Sequence, residues 1–182
     1  SWTPTFRFID TATVTPDPET QSMADALKAK MDVTLDQEIG TLETPLDSRR
    51  NVVRTEEATM GNLIADALRV QTGADIGLMN GGGIRGDKTY DAGAKLTRRD
   101  ILTELPFGNV TVVTELPGSQ VLLALENAVS QVEKGAGRFA QVSGLSFAFD
   151  ASAPAGSRCR KGWRCRHRGR SRVRCGGWLR TR

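Results

Sequence analysis

The chain has 182 residues, with 25 Lys and Arg against 21 Asp and Glu, for a formal net charge of +4. Ten of the basic residues, and no acidic one, lie in residues 159–182, so the first 158 residues carry 15 basic against 21 acidic side chains. The body is acidic, which excludes the usual inference from a basic protein to nucleic acid; no apolar run reaches 18 residues, which excludes a membrane-spanning helix.

Residues 1–16 read as an entry or linker segment. Phe6 and Phe8 alternate with polar residues there, and Pro16 and Pro18 punctuate its end. Met23, Leu27, Met31 and Leu35 then recur every four residues, the spacing of an amphipathic helix. Met60, Leu63, Ile64, Ala67 and Leu68 predict a second helix, stopped by Gly73. Ala74–Met79 is a short apolar run that predicts a buried strand. Thr97 and Asp100 have capping-box spacing before Ile101, Leu102 and Leu105. Val110–Leu116, rich in Val and Thr, predicts a strand. Gly118-Ser119 opens a helix that carries Val121, Leu122, Leu125, Ala128, Val129 and Val132 and ends at Gly135. Leu145, Phe147 and Phe149 alternate, as in a strand with one buried face. Helices and strands interleave without a repeat. The class is α+β, a mixed sheet with helices packed on it, in one domain over residues 17–158.

The chemistry concentrates at Asn80-Gly81-Gly82-Gly83-Ile84-Arg85, directly after the predicted buried strand. Three glycines remove side chains from the loop, so a ligand could touch bare backbone. Asn80 supplies a hydrogen-bonding head and Arg85 an anion fork, although a turn-closing surface arginine is the plainer account of Arg85. Arg50 and Arg54 lie four apart. In a helical turn they share a face and could clamp an anion; otherwise they are a solvated basic pair. Phe107 lies between Pro106 and Gly108, either as a ring exposed at a loop tip that could stack a base or as a core residue under the loop. Glu57 and Asp66 could be an acid/base pair, but on an amphipathic helix they read as helix-start and packing charges.

Three blocks occur in order: Arg54-Thr55-Glu56-Glu57 leading into Met60-Gly61-Asn62-Leu63-Ile64-Ala65-Asp66-Ala67, then Asn80–Arg85, then Asp100-Ile101 leading into Leu105-Pro106-Phe107-Gly108-Asn109. In that combination, and with Gln141-Val142-Ser143-Gly144, the chain resembles the C-terminal domain of the 5′-nucleotidase family over about residues 17–158. That family includes 5′-nucleotidases, UDP-sugar hydrolases and 2′,3′-cyclic-nucleotide 2′-phosphodiesterases. The resemblance implies a substrate-binding domain in which Arg50, Arg54 and Arg85 meet phosphate or ribose. It implies that Asn80 bonds the base, Phe107 stacks on it, and Gly81, Gly82 and Gly83 form the floor of one open cleft. The nucleotide would be AMP-like or UMP-like, a cyclic nucleotide or a nucleotide sugar. No catalytic residue, metal ligand or cofactor is expected in this chain. In the family two divalent metal ions are held by His, Asp and Asn of an N-terminal metallophosphoesterase domain, and its Asp-x-His and Gly-Asn-His motifs do not occur here. The resemblance also implies a helix that joins the two domains and a periplasmic or extracellular location. No membrane partner and no specific nucleic acid is expected.

After Arg158 the composition changes abruptly. Residues 159–182 hold all three cysteines, the only histidine and two of the three tryptophans. One reading is an Arg-rich arm that contacts phosphate backbones, which would make the chain a nucleic-acid-binding protein. A second is a metal site on Cys159, Cys165, His167 and Cys175, whose spacing fits no common zinc knuckle. The third is a non-native stretch produced by a change of reading frame at or just after Arg158, which would also remove the family's second aromatic and its ribose-binding Asp. Such a tail is expected not to pack stably on the domain.

Overall fold

The computed structural model describes residues 2–160, 164–165 and 172–179 and divides the chain into two compact units, Ser1–Gln37 and Glu38–Arg182. In the first unit, helix α1 spans Pro18–Leu35. Asp17 caps it by accepting from the Thr20 amide at 2.9 Å, and Pro18 takes the first turn, where its missing N–H costs nothing. The expected apolar stripe is there, but Met23, Leu27 and Met31 are all exposed. Helix α1 lies in the first compact unit, Ser1–Gln37. Phe6 and Phe8 form no strand; the segment's regular structure is a single 3₁₀ turn at Thr11–Thr13.

The second unit is built around a four-stranded sheet. Its strands are β3 (Ile76–Asn80), β6 (Val110–Pro117), β7 (Ala140–Ser143) and β10 (Arg172–Leu179), in the order β6-β10-β3-β7. Strand β10 runs parallel to β3 and antiparallel to β6, and β7 is antiparallel to β3. Short antiparallel pairs lie outside this sheet: β1 (Glu38–Thr41) with β5 (Lys95–Thr97), β2 (Leu46–Asp47) with β4 (Thr89–Tyr90), and β8 (Leu145–Ser146) with β9 (Arg164–Cys165). This is the mixed α+β arrangement that the sequence predicts.

Strand β3 is buried on both faces, and its alternation shows how. Helix α3 (Thr59–Thr72) covers one face, where Met79 joins Met60, Ile64 and Leu68 in one apolar cluster. A Cβ on Gly77 would overlap the Ala65 carbonyl, so glycine is what lets α3 approach this closely. Helix α5 (Gly118–Val129) covers the other face, where Ile76 packs with Val121 and Leu125. Helix α3 ends as expected at Gly73, in the left-handed region with φ 60°. The capping box of α4 (Arg98–Glu104) forms with both its bonds, Thr97 Oγ1 accepting from the Asp100 amide and Asp100 from the Thr97 amide. Helix α5 stops earlier than predicted, at Val129. A 3₁₀ turn at Val132–Lys134 then leads to Gly135 in the left-handed region.

The largest departure from expectation lies beyond Arg158. Arg158 is buried, donating from Nη1 to the Val129 carbonyl at 2.6 Å and to Glu133 at 2.7 Å. The Glu126 carboxylate accepts from the amides of both Arg158 and Cys159. Burial, with Glu126 alongside, pushes the Cys159 thiol up to about 11. Residues 172–179 then form β10 between β3 and β6, so among the described residues this part of the tail packs in the sheet, against expectation. The reason is that a ladder pairs backbone, not side chains. Where β10 passes α3, Gly176 fits because a Cβ there would lie 2.9 Å from Thr72 Oγ1. His167, the fourth member of the considered metal site, lies outside the described residues.

Candidate functional site

The eight residues singled out by sequence lie in three segments: Arg50 and Arg54 at a single helical turn, Asn80–Arg85 from the C-terminal end of β3 onward, and Phe107 after α4. Arg50 opens helix α2 (Arg50–Val53), a single turn, and Arg54 closes it, so the two arginines do share helical geometry. The Arg50 amide donates to Asp87 Oδ1 at 2.7 Å; Asp87 has φ 53°. Arg54 is only 9% exposed. Its Nε is buried without a hydrogen-bond partner, and among the described residues its side chain makes no ion pair. Burial lowers its pKa, and the neighbouring charges of Arg50 and Arg85 lower it further, against a smaller opposing effect of Asp87. At Arg54 the charges of Arg50 and Arg85 thus outweigh that of Asp87, an arrangement that an anion could neutralise.

The first two amides of the glycine loop are bonded within the protein. The Gly81 amide donates to the Phe139 carbonyl at 2.7 Å and the Gly82 amide to the Gly137 carbonyl at 2.8 Å. Side chains are missing because the protein itself fills their place. A Cβ on Gly81 would overlap the Val53 carbonyl, one on Gly82 would lie 2.8 Å from Gly137 Cα, and one on Gly83 would overlap the Met79 methyl. The loop is a close-packed joint between α2 and the 137–139 segment, and Arg54 is fixed beside it. Asn80 is exposed, and its Nδ2 donates to the Gly137 carbonyl at 3.2 Å.

Arg85 and Phe107 form the other half. Phe107 is 48% exposed, on the short connection after α4, and the Arg85 guanidinium carbon lies 5.6 Å from its ring centroid, within cation–π range. The ring is therefore at the surface and not in the core. Cavities lined by described residues include a polar one of about 410 Å³ around Asp66, Arg69 and Ser143. In that cavity Asp66 accepts from Ser143 Oγ, and on its rim Glu57 accepts from Asn62 Nδ2 at 2.7 Å. Both carboxylates have local packing partners, as expected for structural charges.

Two buried polar residues hold this face in place and were not singled out by sequence. Gln141 donates from Nε2 to the carbonyls of Val53 and Glu56, at 3.0 and 2.8 Å, and accepts from the Ala58 amide at 3.0 Å. It thereby fastens the α2–α3 connection to β7, and Gly61 is small because Gln141 lies against it. Glu104 is fully buried at the end of α4. In the sequence Gln141 is marked only as part of the Gln141–Gly144 block, with no role attached, and Glu104 carries no mark of its own.

A family model described as the 5′-nucleotidase C-terminal domain matches residues 38–169. The chain belongs to that family. The matched region begins where the second compact unit begins and continues past Arg158. Among curated relatives, the trifunctional nucleotide phosphoesterase YfkN of Bacillus subtilis is 36% identical over 78% of this chain, which spans 10% of that protein. The silent protein UshA(0) of Salmonella typhimurium is 33% identical, again over 78% of this chain and 25% of its own length. The solved 5′-nucleotidase precursor of Thermus thermophilus superposes with a TM-score of 0.73 at 39% identity, over 90% of this chain and 34% of that one. A Staphylococcus aureus structure titled as a 5′-nucleotidase shares the fold, with a TM-score of 0.69 at 20% identity. This chain thus corresponds to between about a tenth and a third of the proteins it matches.

Proposed function

We propose that the second unit is the nucleotide-binding part of a phosphate-ester hydrolase. Arg54, flanked by Arg50 and Arg85, takes the phosphate or ribose side; Asn80 and Phe107 take the base by edge hydrogen bonding and stacking. The observation that carries this reading is the buried Arg54 guanidinium, without an ion-pair partner among the described residues and beside two further arginines. The names of the relatives agree with it, since they are nucleotide phosphoesterases and 5′-nucleotidases.

Hydrolysis in this proposal needs two divalent metal ions held by a separate metallophosphoesterase domain, which activate water and stabilise an in-line displacement. The role of this unit is to hold base and sugar so that the phosphate is presented to those ions. Among the described residues no three His, Cys, Asp or Glu side chains lie close enough to hold a metal. The chain by itself is expected to bind nucleotide weakly and not to turn it over, and its setting is proposed as periplasmic or extracellular.

The test is a heteronuclear NMR titration of the chain with AMP, UMP and 2′,3′-cyclic AMP, followed by assays with Mn²⁺, Co²⁺ and Zn²⁺. We expect a Kd of about 1 mM for at least one of them, roughly −4 kcal/mol, with shifts at Arg54, Asn80, Arg85 and Phe107. Arg54→Met should weaken binding about tenfold, the value of one charge-assisted contact. Unchanged affinity in Arg54→Met, or metal-dependent turnover that co-purifies with the chain, would overturn the proposal.

A further inference from the structure

We propose that Glu104 is the positioning residue of this site: its buried carboxylate and its backbone together fix the loop that carries Arg85 against the segment that carries Phe107. The proposal rests on the nucleotide-binding reading for its consequence, but not for its geometry.

Each polar atom of Glu104 on that side has a partner in the loop. The Arg85 amide donates to the Glu104 carbonyl at 2.8 Å. The Gly86 amide donates to Glu104 Oε2 at 3.0 Å, and the Tyr90 hydroxyl donates to Oε1 at 2.8 Å. Burial raises the Tyr90 pKa, and the bond to Glu104 raises it further, so the phenol stays protonated as a donor. The carboxylate also needs glycine opposite it, because a Cβ on Gly86 would overlap Glu104 Oε1. Asp87, next in the loop, accepts from the Arg50 amide. The position of this loop therefore sets Arg85 directly and bears on Arg50 through Asp87.

The same residue fixes Phe107. Glu104 is the last residue of α4, and Phe107 follows three residues later. An arginine held only by its own backbone would sample many rotamers over a half-exposed ring. With its amide and the next amide both bonded to Glu104, its Cα is fixed relative to the ring, and the guanidinium lies over one face at 5.6 Å. That covers one side of Phe107 with charge, so the base must stack on the other. Glu104 touches no ligand in this scheme; it acts by deciding which face of the ring is open.

The test reads the Arg85–Phe107 contact in the free, full-length chain and then the affinity. Arg85 Nε–Hε should show a ring-current shift in the NMR spectrum that collapses in Phe107→Leu. Glu104→Ala is expected to collapse it equally, with the β3 and β7 amide signals unmoved. Should Glu104→Ala fail to fold, Gly86→Ala displaces the loop without emptying the core and is expected to give the same collapse. Glu104→Gln should retain the shift, because its amide oxygen still accepts from Gly86 while its NH₂ turns to the Tyr90 oxygen. In the displaced variants the preference for AMP over ribose 5-phosphate should fall about tenfold, the stacking contribution of one base. A generally softened fold would not change that ratio. A retained ring-current shift in a folded Glu104→Ala or Gly86→Ala overturns the positioning role. An intact shift in a wild type that binds no AMP would instead refute the nucleotide reading and leave the geometry standing.

Discussion

The glycine loop at residues 81–83 and the basic strand at residues 172–179 both lie against β3, and they are held there by opposite means. The loop is fixed by missing side chains: Gly81, Gly82 and Gly83 let it close against Val53, Gly137 and Met79, with two amides bonded to the 137–139 segment. The strand is fixed by its backbone, which pairs with β6 from Arg172–Pro117 to Leu179–Val110 and with β3 from Cys175–Ile76 to Gly177–Leu78. In the first region an added methyl at Gly81 or Gly82 meets backbone, which cannot swing away, whereas at Gly83 it meets only the end of the Met79 side chain. In the second, Arg172 and Arg174 are compatible with a central place in the sheet, because the ladder bonds do not depend on side-chain identity. A stretch whose composition looks foreign can therefore still form a strand.

The most severe test of that contrast is to delete residues 172–182. With the strand between β3 and β6 gone, we expect loss of the cooperative melting transition, a destabilisation above about 5 kcal/mol, the low end of what holds a domain together. An unchanged thermal melt would mean that the strand contributes nothing, and the contrast would fail. Gly81→Ala comes next. Its Cβ would meet the Val53 carbonyl, which is backbone and cannot swing away, so urea denaturation should show a loss of about 2–4 kcal/mol. Gly93→Ala is the control: its φ of 83° is unfavourable but the space is open, and about 1 kcal/mol is expected. A loss at Gly81 no larger than at Gly93 would show that the close approach to Val53 does not govern the loop.

Gln141→Leu should cost about 2–3 kcal/mol, since the buried Ala58 amide and the Val53 and Glu56 carbonyls lose their partner together. The smallest effect concerns Asp100 and pH. Burial alone would raise its pKa, but hydrogen bonds from Thr97 and Lys88 outweigh this and hold it below the ordinary 3.8. A depressed carboxylate stabilises the fold above its unfolded pKa, so this contribution is present at neutral pH and is lost as pH falls through the folded value. Asp100→Asn should therefore flatten the acid limb of the stability curve and cost about 1 kcal/mol at pH 7. An unaltered acid limb would show that the capping box adds nothing measurable.

By itself the sequence determined the elements whose information is local. Apolar spacing placed α3, Thr97 and Asp100 placed the start of α4, Gly73 placed the end of α3, and the run before Asn80 placed β3. It also determined which residue types form the candidate site, because Arg, Asn and an aromatic ring between Pro and Gly carry their chemistry wherever they fold. Only the tertiary structure decided what those residues touch. It closed the three glycines against Val53, Gly137 and Met79, left Arg54 buried without an ion-pair partner among the described residues, and set Arg85 over Phe107. It also put β10 in the middle of the sheet. These outcomes depend on partners distant in sequence: Gly137 for Gly82, Gln141 for Val53, and Thr114 for Cys175. No local pattern records such pairings. Burial and close approach exist only once the chain has closed on itself.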